Sequence, residues 1–510
     1  MSNKFYYITT PIYYVNDKPH IGHTYTSLAC DILARFKRMD GYDVLFLTGT
    51  DEHGQKVEKS AIAKGIEPQD FVDSVSQTFL ELTPLLKLSN DDFIRTTEER
   101  HKKAVSSIWQ EIEKNGYIYK DKYSGWYALR DEAFYGEEEL TTKNDGTKVA
   151  PSGAEVEWRE EISYFFKLSE FQDKLLEFYD NNPHFISPKS RFNEVYSFVK
   201  GGLKDLSISR SSFAWGIPTP NDSKHVIYVW LDALTNYISA LGYPEQGEKF
   251  NKYWSEAIHM VGKDIIRFHA VYWPAFLMAA KLPLPKKIYA HGWWMNEGEK
   301  ISKSLGNAID PHDLITKYGL DQVRYFLFKE VPFGNDGDFS HSSMVNKVNN
   351  DLANGYGNLL QRSLSILNKS FDGKIPNHIL SEEQTIFLHN TLKDLEVLRE
   401  HIDNQEFSKY LEKIWENIRY GNSYIDKKAP WTLIKEGKLD EAGQVLTFIM
   451  ELVRIVSIYL SPFMPDSTSK ILSQLGVKGD IKFSSLEEWL QNGHQLSAPS
   501  PVFTKITDEV

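Results

Sequence analysis

At 510 residues the chain is too long for one hydrophobic core and should divide into about three to five domains. With 41% hydrophobic and 25% charged residues it reads as an ordinary soluble globular protein. No apolar run reaches about 18 residues and the N-terminus has no signal-like apolar core, so a cytoplasmic protein without a membrane span is expected. A net charge of −12 excludes non-specific nucleic-acid binding by the whole surface, though not local basic patches, and the single cysteine, Cys30, excludes an intrachain disulfide.

The aromatic and β-branched run 5–9 reads as a buried strand. After it, Leu28, Ala29, Ile32, Leu33 and Phe36 recur at helical spacing, with Cys30 in the same packed register. Between them lies YYVNDKPHIGHT, 13–24, so His20 and His23 stand where a strand hands over to a helix. There backbone N–H groups and the helix dipole favour an anion, Pro19 stiffens the approach, and Gly22 lets a ring or phosphate come close. Both rings can donate hydrogen bonds to negative oxygens. A metal pair or two partly exposed polar residues fit the same spacing.

A second apolar run, 42–48, ends in GTDEHG, 49–54, and repeats the strand–turn–helix unit, which together read as βαβ in a parallel sheet. Ligands bind at the carboxyl ends of strands in doubly wound sheets, so Asp51 should face the crevice of the histidine turn and suit an ammonium group. Its alternative role is the N-cap of the next helix. Amphipathic helices are expected over 69–86 and 97–114. From 117 to 158 the pattern changes to short alternating runs with turn signals, as in β-hairpins.

Helical register at 170–179 and turns at 216–223 close what reads as an insertion. A strand is then expected at 226–230, helices at 232–241 and 265–280, and strands at AIHMV, 257–261, and KIYAHGWW, 287–294. The loop 296–307, NEGEKISKSLGN, carries Lys300 and Lys303 among serines and glycines, where lysines can swing onto phosphates; most such loops are only solvated surface. From 343 onward the chain is helical, with amphipathic segments at 346–368, 382–402, 406–426 and 439–460.

His20-Ile21-Gly22-His23 and Lys300-Ile301-Ser302-Lys303-Ser304, in this order on a split nucleotide-binding pattern, resemble the HIGH and KMSKS signatures of the class I aminoacyl-tRNA synthetases. Within that class the chain is most similar to the methionyl-tRNA synthetase family, over essentially its whole length. Ile12, Tyr14, Asp51, Val229 to Ala233, Tyr237, Gly262-Lys263-Asp264, Phe268, His269, Trp273, Asn358, Arg362 and Ala429-Pro430-Trp431 stand where that family has its markers.

The resemblance implies an α/β fold: a split Rossmann-like parallel sheet with an inserted connective domain, followed by an all-α helical bundle. The implied domains are 1–115 and 226–295 for the two halves of the catalytic domain, and 116–225 for the insertion. The lysine loop and stem-contact region would occupy 296–345, and an anticodon-binding bundle 346–510. The implied reaction is activation of methionine by ATP to the adenylate, then transfer to tRNA(Met), initiator and elongator.

By the same carry-over His20, His23, Lys300 and Lys303 are the catalytic set. ATP would also meet Gly22, Gly262, His291 and Asp264, the last on its ribose, with Mg²⁺ arriving on the triphosphate. Asp51 would take the methionine ammonium. Ile12, Tyr14, Trp230, Ala233, Tyr237, Phe268, His269 and Trp273 would line the side-chain pocket, with His269 and Tyr14 as the polar candidates to read the sulfur. Asn358, Arg362 and Trp431 would read the anticodon, since an aromatic beside cations, here Lys427 and Lys428, suits an unstacked base; a bundle-core tryptophan is the alternative.

One departure from the family stands out. Ala128, Asp131, Ala150 and Gly153 occupy the positions of paired zinc cysteines, so a knuckle without metal, held by packing, is expected. No zinc and a monomer complete the reading. A non-catalytic tRNA-binding relative and a small-molecule adenylyltransferase are the alternatives.

Overall fold

The computed structural model describes residues 4–15, 18–131, 133–301, 307–377 and 379–507. It divides into two compact units. The first takes the chain up to Pro19 together with Val44–His291, and the second takes His20–Asp43 with Gly292 onward. The first helix therefore belongs with the C-terminal bundle, not with the strand that precedes it.

The first unit is built on a seven-stranded sheet. Its order is Ile186–Ser187, Lys287–His291, Ala257–Gly262, Phe5–Thr9, Asp43–Asp51 and Tyr13–Tyr14, with Asp92–Arg95 also paired to Asp43–Asp51. Tyr7 opposes Ala257, Ile258 opposes Lys287 and Leu47 opposes Asp92, all in parallel register. Eight of the nine residues of Asp43–Asp51 are buried, as in a parallel sheet covered on both faces. The two-residue strand Ile186–Ser187 comes from sequence read as insertion, yet it extends this sheet by pairing with Lys287–His291.

The two larger antiparallel sheets lie outside it. Ile118–Ala128 runs against Glu157–Phe166, from Ile118 opposite Phe166 to Tyr127 opposite Glu157. The second contains Ser209–Arg210, Asp222–Ile227 and Pro218–Thr219. The strand expected at 226–230 thus ends at Ile227, in an antiparallel sheet and not the parallel one. Tyr228 is extended, and a helix starts at Val229 with Asp232 in its first turn, so Trp230 rides on a helix.

The helix expected over 265–280 is also broken. Phe268–Tyr272 is a π turn leading into Trp273–Ala279. The cause is Pro274, which has no N–H to give the Ala270 carbonyl and would collide with it in a regular helix. The widened turn makes room, and the Tyr179 hydroxyl donates to that carbonyl at 2.6 Å.

At the cysteine-free knuckle, Ala128, Ala150 and Ala154 form a small buried cluster with Tyr135 and Val156 packed on it. Two tight turns survive there, Asp131 N–H to Ala128 O at 3.2 Å and Gly153 N–H to Ala150 O at 2.8 Å. The Asp131 carboxylate accepts from the Tyr135 hydroxyl at 2.9 Å and from Ser152.

The second unit places the first helix, Ile21–Met39, among the C-terminal helices. Phe36 packs on Tyr410 and Phe483, Lys37 pairs with Asp403 at 2.6 Å, and Arg399 grips Asp40. The bundle itself comprises Glu382–Asp403, Phe407–Lys428, Leu439–Leu460 and Pro465–Gln474, preceded by a continuous helical run through Asn358–Ser370. Leu439–Leu460 is long and apolar enough to cross a membrane, but 94% of its most apolar window is buried against its neighbours, as befits a central core helix.

Candidate active site

In the second unit the histidine turn forms a reciprocal helix cap. His20 is the N-cap residue of Ile21–Met39. Its Nδ1 accepts from the Gly22 N–H at 3.0 Å, and His23 Nδ1 accepts from the His20 N–H at 3.1 Å. The two rings lie 3.9 Å apart. With both Nδ1 atoms acting as acceptors, the proton of each neutral ring belongs on Nε2, and each imidazole can offer an Nε2–H to an anion. Burial, chiefly, holds the His23 pKa well below the usual histidine range, with the neighbouring His20 ring acting in the same direction, so His23 is a neutral donor.

Gly22 is required here, because a Cβ would stand 2.9 Å from the His20 ring. The backbone contributes less than expected. Ile21 N–H is taken by the Ile309 carbonyl at 3.2 Å and Gly22 N–H by the cap, so both of these backbone donors are already engaged. Lys300 lies on the short strand Glu299–Lys300, opposite Met295. Lys303 lies outside the described residues.

In the first unit the methionine set gathers around the ends of the parallel strands. Tyr14 and Asp51 are register partners at one edge. Half-buried Trp230 stacks on Phe268 with centroids 3.6 Å apart and 7° between planes. Ala233 is buried one turn along, and Ile12 packs on the same core. The Tyr237 hydroxyl lies 2.7 Å from His269 Nε2, while His269 Nδ1 lies 3.0 Å from the Ile265 carbonyl.

That carbonyl can only accept, so Nδ1 carries the ring proton, Nε2 accepts, and Tyr237 is the donor. Burial lowers the His269 pKa to about 4, against a smaller upward pull from the Ile265 hydrogen bond. Both His269 nitrogens are therefore engaged, and the ring orients Tyr237 rather than offering a donor of its own. Trp273 is fully buried beneath Tyr237, 6.3 Å between centroids.

Three residues expected to meet ATP, Gly262, Asp264 and His291, come together at a second strand end. Gly262 and His291 are register partners on adjacent strands. A Cβ on Gly262 would stand 2.5 Å from an Asp264 carboxylate oxygen and 3.9 Å from the His291 ring. Glycine there keeps the three in one patch, with Asp264 exposed.

The loop after Asp51 is held by charged residues that pattern reading passed over. The Glu52 carboxylate accepts from Thr50, from Arg95 at 2.6 and 3.0 Å, and from Thr97. The Glu52 carbonyl accepts from the Trp215 indole at 2.6 Å. His53 Nδ1 meets Asp232 at 2.7 Å, and His101 Nε2 meets the other oxygen of the same carboxylate at 2.7 Å. A signal for His101 was present in the sequence, since it occupies the apolar register of its helix with Ala104, Val105, Ile108 and Trp109.

Comparison with known proteins gives this geometry its family. The model for "tRNA synthetases class I (M)" matches residues 6–364, and that for the "Anticodon binding domain of methionyl tRNA ligase" matches 376–510. The chain belongs to the methionyl-tRNA synthetase family. It is 55% identical to methionine–tRNA ligase of Rickettsia bellii over 99% of this chain and 100% of that one. It is 52% identical to the Brucella suis enzyme over 100% and 99%. Methionyl-tRNA synthetase of Mycobacterium tuberculosis, solved in complex with methionyl-adenylate, superposes with a TM-score of 0.95 at 47% identity, covering 98% of this chain and 99% of that one.

The three residues expected to read the anticodon all lie in the second unit. Asn358 is exposed at the start of Asn358–Ser370. Arg362, one turn on, gives Nη1 to Asp426 at 2.6 Å and Nη2 to the Asn422 side chain at 3.1 Å. Trp431 is 39% exposed. It follows Ala429, which turns left-handed at φ 43°, and Pro430 at the first position of a short helix. Trp431 is therefore a surface residue, not a bundle-core one.

Proposed function

We infer that the protein joins methionine to tRNA(Met) in two steps. The methionine carboxylate attacks the α-phosphorus of ATP, forming methionyl-adenylate and releasing pyrophosphate. A ribose hydroxyl of the terminal adenosine of the tRNA then attacks the methionyl carbonyl, forming the ester and releasing AMP. The full-length likeness to methionine–tRNA ligases carries this reading. The attacking carboxylate is already anionic, so the first step needs no general base, and catalysis reduces to positioning and charge stabilisation.

In this reading the Nε2–H groups of His20 and His23 meet the α-phosphoryl oxygens. Lys300 and Lys303 serve the outgoing phosphates, and Mg²⁺ enters with ATP as part of that substrate. Asp51 pairs with the methionine ammonium, and Asp264, beside Gly262 and His291, takes the ribose hydroxyls. Ile12, Tyr14, Trp230, Ala233, Tyr237, Phe268 and His269 shape the thioether pocket, where sulfur–ring contacts are worth about 0.3–1.5 kcal/mol each. His269 acts there through Tyr237, and Trp273 acts as the floor.

Asn358, Arg362 and Trp431 receive the anticodon of initiator and elongator tRNA alike, and the expected domain bounds are proposed with two changes, 20–43 grouped with the C-terminal unit and Ile186–Ser187 added to the parallel sheet. The alanine cluster and the Asp131 hydrogen bonds support a zinc-free insertion. We also propose a cytoplasmic monomer. Incubation with ATP, Mg²⁺, labelled methionine and tRNA(Met) tests the reading: methionyl-tRNA should accumulate, and its absence in a folded preparation would reject catalysis in favour of a tRNA-binding relative. Elemental analysis should find no stoichiometric zinc.

A further inference from the structure

Asp232 is a fully buried carboxylate that no step of the proposed chemistry uses. It sits in the one-and-a-half-turn helix Val229–Leu234, between Trp230 and Ala233 of the pocket. Its two oxygens are divided. Oδ2 receives His53 Nδ1 and Oδ1 receives His101 Nε2, each at 2.7 Å. His101 Nδ1 is in turn 3.2 Å from the Ser239 hydroxyl, which donates to the Thr235 carbonyl at 2.8 Å. Burial pushes the carboxyl up, but the charge and hydrogen bonds of the two histidines outweigh it and leave Asp232 near 2, ionised throughout the neutral range.

A buried carboxylate is costly unless fully partnered, and here the two partners come from stretches of chain distant from it and from each other. His53 lies two residues beyond Asp51, on the loop leaving the strand. His101 lies on the helix Glu99–Lys114. The carboxylate thus pins the loop bearing the ammonium partner to the helix bearing Trp230. Glu52, between Asp51 and His53, is fastened separately by Arg95, so His53 is what ties this loop to the pocket helix.

We propose that His53, Asp232 and His101 are positioning residues for methionine, setting the distance between the Asp51 carboxylate and the thioether pocket. The proposal rests on the assignment of Asp51 to the ammonium. A displacement of about 1 Å at a binding group can cost a hundredfold, so the effect should appear in amino-acid affinity.

The test compares His53→Leu, which removes the Nδ1 partner, with His53→Asn, whose amide reaches the same position, by ATP–pyrophosphate exchange. Expected for His53→Leu is a methionine KM raised roughly ten- to a hundredfold with the ATP KM unchanged. His53→Asn should recover most of that loss, and His53→Leu should add little to Asp51→Asn, because it acts through Asp51. If His53→Leu does not fold, His101→Leu against His101→Gln makes the same comparison on the other oxygen.

An unchanged methionine KM in folded His53→Leu, or an equal rise in the KM of both substrates, overturns the positioning role. So does a His53→Leu penalty that persists in full on the Asp51→Asn background. Asp51→Asn alone leaving the methionine KM unaltered would instead remove the ammonium assignment beneath it.

Discussion

Arg324 Nη2 and Asp31 Oδ2 lie 2.7 Å apart with neither side chain exposed. Asp31 is on the helix that begins at the histidine turn. Arg324 also donates Nε to the Phe463 carbonyl and Nη2 to the Pro462 carbonyl, in the turn that ends Leu439–Leu460. One guanidinium thus fastens the helix of the histidine turn to the C-terminal bundle, and Arg35 supports it from the same helix.

Removing one partner of such a pair leaves a buried charge and two unserved carbonyls. Arg324→Met should cost about 3–5 kcal/mol, read as a lowered melting temperature. Asp31→Leu with Arg324→Met should melt above Arg324→Met alone, since no charge is then left buried. A single variant that melts like the parent would show the pair to be without weight.

At the histidine turn the two ring nitrogens of His23 have separate duties. His23→Asn keeps an acceptor near Nδ1 for the His20 N–H but has nothing at Nε2. Adenylate formation should fall about 10²–10³-fold while the melting temperature stays close to the parent's. His23→Gln, with a donor near Nε2, should be the less impaired in exchange. Equal activity of parent and His23→Asn would take the ring out of phosphate recognition.

His269 gives the stability a pH dependence of definite sign. Its folded pKa, about 4, is below the ordinary 6.5, so between these values the unfolded chain binds the extra proton and stability rises with pH. The contribution is complete above about pH 6.5 and is lost as the pH falls toward 4, amounting to about 3 kcal/mol. Melting curves of the parent and His269→Gln should converge as the pH is lowered through this window; a constant gap would mean that His269 does not titrate there.

Trp431 is exposed, so Trp431→Ala should leave the melting temperature nearly unchanged. If the indole stacks on an anticodon base, aminoacylation should fall about five- to a hundredfold while amino-acid activation without tRNA is unaffected. Equal charging by the variant would remove Trp431 from tRNA recognition.

Much of this architecture was legible because local pattern and tertiary role coincide. The near-continuous apolar run after Asp43 marks a strand covered on both faces, and the uninterrupted apolar register of Leu439–Leu460 marks a core helix. The histidine turn was legible as a helix start, though its mutual cap was not, since ring tautomers follow from hydrogen bonds that spacing does not reveal.

The misreadings have physical causes. The run Val226 to Trp230 looks like one strand because its residues are uniformly apolar, whereas the helix begins at Val229 directly after a single extended residue, Tyr228. The break before Trp273 comes from Pro274 and was visible in the sequence, but its remedy, the Tyr179 hydroxyl, comes from 91 residues away. The Asp232 cluster joins three distant stretches, and only His101, polar in an apolar register, betrayed it.

Methionine activation is read most directly by methionine-dependent exchange of labelled pyrophosphate into ATP, with Lys303→Ala as the control for the lysine loop. Exchange is expected with methionine and none with leucine, and in Lys303→Ala a greatly slowed rate with methionine binding nearly intact. Absence of methionine-dependent exchange, or an unchanged rate in Lys303→Ala, would contradict it.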